Sequence, residues 1–220
     1  MTDKENTWDK LLQIKTTGRD DSNSDDYRYP YEPTPYSVLE RLAQSGLIWK
    51  NDVVLDYGCG KGRVDFFLSY QTKAKTIGIE YDERIYHRGL ANQKTAVSRA
   101  KAEFVHTSAE SYVLPPQVNR CYFFNPFSVE ILHKAMARIL DSYYENPREI
   151  LLFFYYPSDE YIAYLMTVDE LDFYDEIECE DLFEGNDRRE RILIFSLPYY
   201  NEAEDQSRDL GIIPIGKQSI

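Results

Sequence analysis

Apolar residues in this chain fall in short continuous blocks that alternate with longer stretches of helical periodicity. Residues 53–55, 76–80, 103–106, 120–125 and 150–155 read as five strands. Residues 63–70, 83–100, 129–144 and 160–166 read as the helices between them. In the third of these helices Ile131, Leu132, Ala135, Ile139 and Leu140 mark one apolar face. Continuous apolar strands separated by helices imply a parallel sheet covered on both sides. Two further strands, 171–179 and 191–197, are joined by a polar loop containing Glu184-Gly185-Asn186-Asp187. That loop is too short for a parallel crossover, so the pair must run antiparallel. The predicted architecture is α/β, a three-layer αβα sandwich whose seven-stranded, mostly parallel sheet is closed by an antiparallel hairpin.

Periodicity is weaker before the first strand. Residues 8–14 read as a short helix and 16–26 as a polar connector. The run Tyr29-Pro30-Tyr31-Glu32-Pro33-Thr34-Pro35-Tyr36 is extended, because each proline excludes the helical region for its predecessor. A helix follows over 36–45, with Val38, Leu39, Leu42 and Ala43 on one face and Gly46 as its stop. The chain thus divides into an N-terminal extension with a candidate lid (1–35), one main domain (36–198) and a loosely held tail (199–220). Segments 16–26 and beyond about 200 contain too few apolar residues to offset ordering entropy, and mobility is expected there.

Composition narrows the function. With 220 residues, 43% of them hydrophobic, the chain buries one sizeable core. Cys59, Cys121 and Cys179 are odd in number and far apart, without metal spacing, which points to a reducing compartment and a cytoplasmic protein. The first fifteen residues lack the apolar run of a signal peptide, and no stretch reaches the ~18 apolar residues of a membrane span. A net charge of −13 disfavours a phosphate backbone as partner, so nucleic acid is not the expected substrate.

Chemistry concentrates in Asp56-Tyr57-Gly58-Cys59-Gly60-Lys61-Gly62, which follows a strand and opens a helix. Glycines there permit tight backbone geometry and let main-chain amides approach a ligand. A nicotinamide-binding turn needs Gly-x-Gly-x-x-Gly; here the third glycine comes one residue early and Arg63 holds the required position. Glu80 ends the second strand, 22 residues beyond Gly58, where its carboxylate can accept hydrogen bonds from both ribose hydroxyls of a nucleotide. Val-Val-Leu-Asp-Tyr-Gly-Cys-Gly-Lys-Gly and Ile-Gly-Ile-Glu-Tyr-Asp together resemble the class I S-adenosylmethionine (SAM)-dependent methyltransferases over about residues 36–197. The resemblance implies SAM as cofactor, held by Asp56, Gly58, Cys59, Gly60, Gly62 and Glu80. It implies that Tyr81 and Asp82 flank the adenosine, or that Asp82 caps the next helix, and that Glu110 lies by the adenine amine or is a solvated loop carboxylate.

The fourth strand ends in Phe124-Asn125-Pro126-Phe127-Ser128. This is similar to the Asn-Pro-Pro-Tyr motif of amino methyltransferases, and to the Asn-Asn-Phe segment of non-SET histone-lysine methyltransferases. Asn125, Pro126 and Phe127 are therefore the catalytic candidates; Asn125 adjoins the sulfonium and accepts a hydrogen bond from the target nitrogen. The alternative is a proline-bounded strand end with Asn125 and Ser128 as helix caps. Such transfer needs alignment more than acid–base chemistry, and no catalytic Ser-His-Asp set is required. Tyr29, Tyr31, Thr34 and Tyr36 of the Tyr/Pro run are candidates for the methionine or substrate pocket; a surface-packed extended linker explains the same residues. Residues 169–190 carry eleven acids against two arginines, an acidic rim suited to a cationic protein or small amine, or a solvated edge that blocks strand-to-strand aggregation. The function expected is methyl transfer to nitrogen on an unidentified acceptor; the competing reading is a non-catalytic SAM-binding regulator or scaffold.

Overall fold

In the computed structural model, which describes residues 3–21 and 27–199, the apolar blocks become a seven-stranded sheet of order β3-β2-β1-β4-β5-β7-β6. The strands are β1 (Val53–Tyr57), β2 (Lys75–Glu80), β3 (Glu103–His106), β4 (Arg120–Phe123), β5 (Ile150–Tyr155), β6 (Asp172–Glu178) and β7 (Arg191–Leu197). Neighbouring strands from β3 to β5 pair in parallel, while β7 runs antiparallel to both β5 and β6. The hairpin thus inserts its second strand between β5 and β6. The helices are α1 (Asp3–Leu12), α2 (Tyr36–Gln44), α3 (Arg63–Thr72), α4 (Glu83–Thr95), α5 (Val129–Glu145) and α6 (Asp159–Leu165). Among the described residues none is long and apolar enough to cross a membrane.

Alternation along the strands fills two separate cores. Leu55, Cys121, Phe123, Leu152 and Phe154 face Leu132, Ala135 and Ile139 of α5 and Tyr161 and Leu165 of α6. Val54, Tyr122, Phe153 and Ile194 face the opposite way, toward Leu39 and Leu42 of α2 and Phe66 and Phe67 of α3. Three layers follow from this division of side chains.

Several boundaries differ from those the pattern predicts. Helix α4 stops at Thr95 rather than 100, because Ala96 leaves helical geometry and Val97 N–H donates to Leu12 O at 3.0 Å. Strand β4 ends at Phe123, two residues short, where Asn125 takes a left-handed φ of 42° and turns the chain. Helix α1 begins five residues earlier than expected and stops at Gln13, whose φ is 59°. The end of α1 and the chain just beyond it are not peripheral: Leu12, Ile14 and Thr16 are all buried, and Thr16 belongs to the connector expected to be mobile. Residues 17–21 of that connector are half-buried or exposed, while 22–26 and the chain from 200 onward lie outside the described residues, as does nearly all of the 199–220 tail.

Candidate active site

The chain leaves β1 through Gly58, Gly60 and Gly62, whose φ values are 74°, 58° and 85°. Positive φ alone favours glycine, and close approach makes it necessary. A Cβ on Gly58 would lie 2.6 Å from Pro126 Cβ, and one on Gly60 would lie 2.1 Å from the Tyr31 ring. The N–H groups of Gly58 and Cys59 both donate to Ile79 O at 3.0 Å, which ties the turn to β2. Glu80 braces it further: its carboxylate accepts from Gly60 N–H at 2.9 Å and from Asp82 N–H at 2.8 Å. Burial raises the Glu80 carboxyl above the usual range, against the pull of those amides. Sequence reasoning foresaw only a ribose contact for Glu80; its bracing role depends on the loop folding back over β2. Asp82 caps α4, accepting from Arg84 N–H and Ile85 N–H.

Beneath the turn lies a pair of carboxyl groups. Asp56 and Asp65 are almost fully buried, and each shifts the titration of the other. Burial pushes both upward; Asp65 draws Asp56 back down, while the Asp56 charge pushes Asp65 further up. Asp65 is therefore the member of the pair that keeps its proton, since two adjacent buried carboxylates cannot both ionise cheaply. Asp56 Oδ2 and both carboxyl oxygens of Asp65 are buried and without a hydrogen bond.

A crevice opens beyond the carboxyl ends of β1, β2 and β4. Thr34, Asp56, Gly58, Cys59, Glu80, Tyr81, Glu110, Pro126 and Phe127 all line it, as does the capping residue Asp82. Four site candidates stand back from it. Gly60 lies beneath the Tyr31 ring, and Gly62 is closed off by Phe104 and Phe66. Tyr36 is a core residue: its hydroxyl donates to Asp9 Oδ1 at 2.6 Å and its ring lies beneath the Arg63 guanidinium. Asn125 sits between the lining residues Phe124 and Pro126, its Oδ1 buried and without a hydrogen bond. Glu110 is no solvated carboxylate; it accepts from Arg28 Nη2 at 2.9 Å, and its Oε2 is buried without a partner. Among the described residues no cluster of three or more His, Cys, Asp and Glu is placed to hold a metal ion.

Two features had no clear signal in the sequence. The Tyr/Pro run crosses the crevice as a strap: Tyr29 N–H donates to Pro126 O at 3.2 Å, and Ser128 N–H donates to Tyr27 O at 2.8 Å. Arg63, at the start of α3, is 2% exposed and gathers the N-terminal segment around itself. It pairs with Glu5, donates from Nε to Thr16 Oγ1 at 2.7 Å and from Nη1 to Thr34 O at 3.2 Å. The repeated tyrosines and prolines signalled an extended segment, but nothing in their spacing said where it would land.

No family model matches the chain. Over 64 residues it is 33% identical to a protein-lysine N-methyltransferase of Saccharolobus islandicus, a stretch covering 29% of this chain and 40% of that protein. Solved structures of similar fold include an RNA methyltransferase from Salinibacter ruber in complex with S-adenosyl-L-homocysteine, at 16% identity and TM-score 0.52, covering 77% of this chain and 96% of that one. A TehB-like SAM-dependent methyltransferase from Corynebacterium glutamicum aligns at 16% identity and TM-score 0.53, over 73% and 88%. A precorrin-6y C5,15-methyltransferase from Geobacter metallireducens aligns at 14% and TM-score 0.53, over 86% and 100%. RNA methyltransferases recur among these structures, so the likeness lends no support to the exclusion of nucleic acid drawn from net charge. The strand order, the glycine turn closing on β2 and these structural likenesses together place the chain in the fold of the class I SAM-dependent methyltransferases.

Proposed function

We propose that the protein is a SAM-dependent methyltransferase acting on a nitrogen of a cationic acceptor, a lysine side chain of a protein ahead of a small amine. One observation carries the reading: Asn125 Oδ1, at the end of β4 and beside the crevice, is a buried acceptor left without a donor. A buried carbonyl without a hydrogen bond costs about 1–3 kcal/mol, which a target N–H would recover.

The crevice suits the cofactor. Asp56 Oδ2 and Glu110 Oε2 are two more buried acceptors lacking donors, and SAM offers an ammonium and an adenine amine. Asp56, Gly58, Cys59, Glu80, Tyr81 and Glu110 would hold it, Glu80 through the carboxylate lone pairs that the loop amides leave open. When bound, SAM supplies a methyl group on a positively charged sulfur. The acceptor ammonium gives up its proton to water before attack; Asn125 then fixes the direction of the lone pair so exposed, and Phe124, Pro126 and Phe127 line that part of the crevice. Glu32 of the strap lines the crevice, and a carboxylate at its rim attracts a cation. The lysine-methyltransferase match in Saccharolobus islandicus agrees with such an acceptor.

Calorimetric titration tests the cofactor. S-adenosylhomocysteine should bind and NAD should not; preference for NAD would overturn the assignment.

A further inference from the structure

Arg28 lies where a nucleoside base would go. In nucleotide-binding α/β sheets an acidic residue at the end of the second strand takes the ribose hydroxyls. Glu80 holds that position here, so a base attached to the ribose falls on the next residue, Tyr81. The face of the Tyr81 ring is covered by the Arg28 guanidinium, 3.9 Å from its centroid. At the rim of this stack Glu110 Oε1 accepts from Arg28 Nη2 at 2.9 Å, while Glu110 Oε2 stays buried without a hydrogen bond. An aromatic face with a carboxylate at its edge recognises a flat group that carries N–H donors on its rim. A guanidinium meets that description and so does an aminopurine, but one ring face cannot hold both.

The strap delivers the guanidinium through backbone geometry. Residue 28 is bridged to Phe127, and the hydrogen bonds Tyr29 N–H to Pro126 O and Ser128 N–H to Tyr27 O flank it on both sides. With the strap in place the enclosed space is about 110 Å³. Pockets for ligands of nucleoside size and above measure roughly 300–1,000 Å³, so entry requires the strap side chains to move. We propose that Arg28 fills the base subsite of the free protein as an internal competitor, and that a nucleoside ligand binds by displacing its guanidinium from Tyr81 and Glu110. This rests on the SAM reading above.

The test is titration of the full chain with S-adenosylhomocysteine, for wild type, Arg28→Ala and Arg28→Lys, with thermal melting to verify folding. Loss of one stack and one partly exposed ion pair predicts binding roughly three- to thirty-fold tighter in Arg28→Ala. Arg28→Lys keeps the charge but loses the flat stack, and should fall between the other two; it decides the matter if Arg28→Ala fails to fold. Unchanged or weaker binding in the variants, with clear binding by wild type, would show that Arg28 does not compete and would leave the SAM reading intact. Absence of binding in all three proteins would overturn both.

Discussion

Replacing Arg63 by methionine removes one buried charge while keeping an apolar stem of similar length. In the wild type that charge faces Glu5 and Asp9, and its side chain is 2% exposed against 17% and 9% for theirs. Breaking a buried pair by deleting one partner costs about 3–5 kcal/mol, because the remaining charge keeps its desolvation penalty. Asp9 retains donors from Thr16 N–H (2.7 Å), Thr16 Oγ1 (2.6 Å) and Tyr36 OH (2.6 Å), and Glu5 reaches solvent, so the lower end applies. A loss of about 3 kcal/mol corresponds to a fall in Tm of roughly 6–12 °C for a chain of this size. Urea unfolding followed by circular dichroism measures the first quantity and calorimetry the second. A loss below about 1 kcal/mol, the value of an exposed pair, would refute the argument that residues 3–17 are part of the core.

Asn125→Ala should lower turnover on the order of 100-fold through misplacement of the acceptor, with S-adenosylhomocysteine affinity held within a few-fold; full turnover in the folded variant removes the role. Asp65→Asn should stabilise the protein increasingly as pH rises. Burial raises the folded pKa of both Asp65 and Asp56, so the stability of this pair is complete below the ordinary carboxylate range and lost as pH rises through the raised values. An asparagine there has no proton to lose and carries no charge at any pH. The gain over wild type should therefore be larger at about pH 8 than at about pH 5, and equal urea midpoint shifts at both would contradict the proton-sharing pair.

The sheet was legible because its central strands β1, β4 and β5 are continuously buried blocks, which neither a surface helix nor a loop produces. The glycine turn was legible for a similar reason: three glycines between a strand and a helix have few other uses. Contacts between distant segments were not. Asp65 reads as an ordinary first-turn acid of α3, and only folding brings it to Asp56. Leu12, Ile14 and Thr16 give too short an apolar signal to announce that they are buried. Tyr36 belongs to a Tyr/Pro run that suggests a pocket lining, yet its buried hydroxyl donates to Asp9. Asn125 and Tyr156 take left-handed φ values of 42° and 50° at adjacent strand ends. Asparagine adopts that geometry more readily than most residues, but tyrosine gives no warning of it, and strained positions gather at functional sites.

The central claim is methyl transfer to an amine nitrogen that arrives as a cation and is attacked through its deprotonated form, and the most direct measurement follows a labelled methyl group. The purified protein is incubated with methyl-labelled SAM and a cell lysate, and the label is sorted into protein, nucleic acid and small molecules. Label is expected on the lysine side chains of protein, or on a small amine, and should be lost with Asn125→Ala. Label in RNA would contradict the acceptor, and no transfer by a protein that binds S-adenosylhomocysteine would mark a SAM-binding scaffold in place of an enzyme.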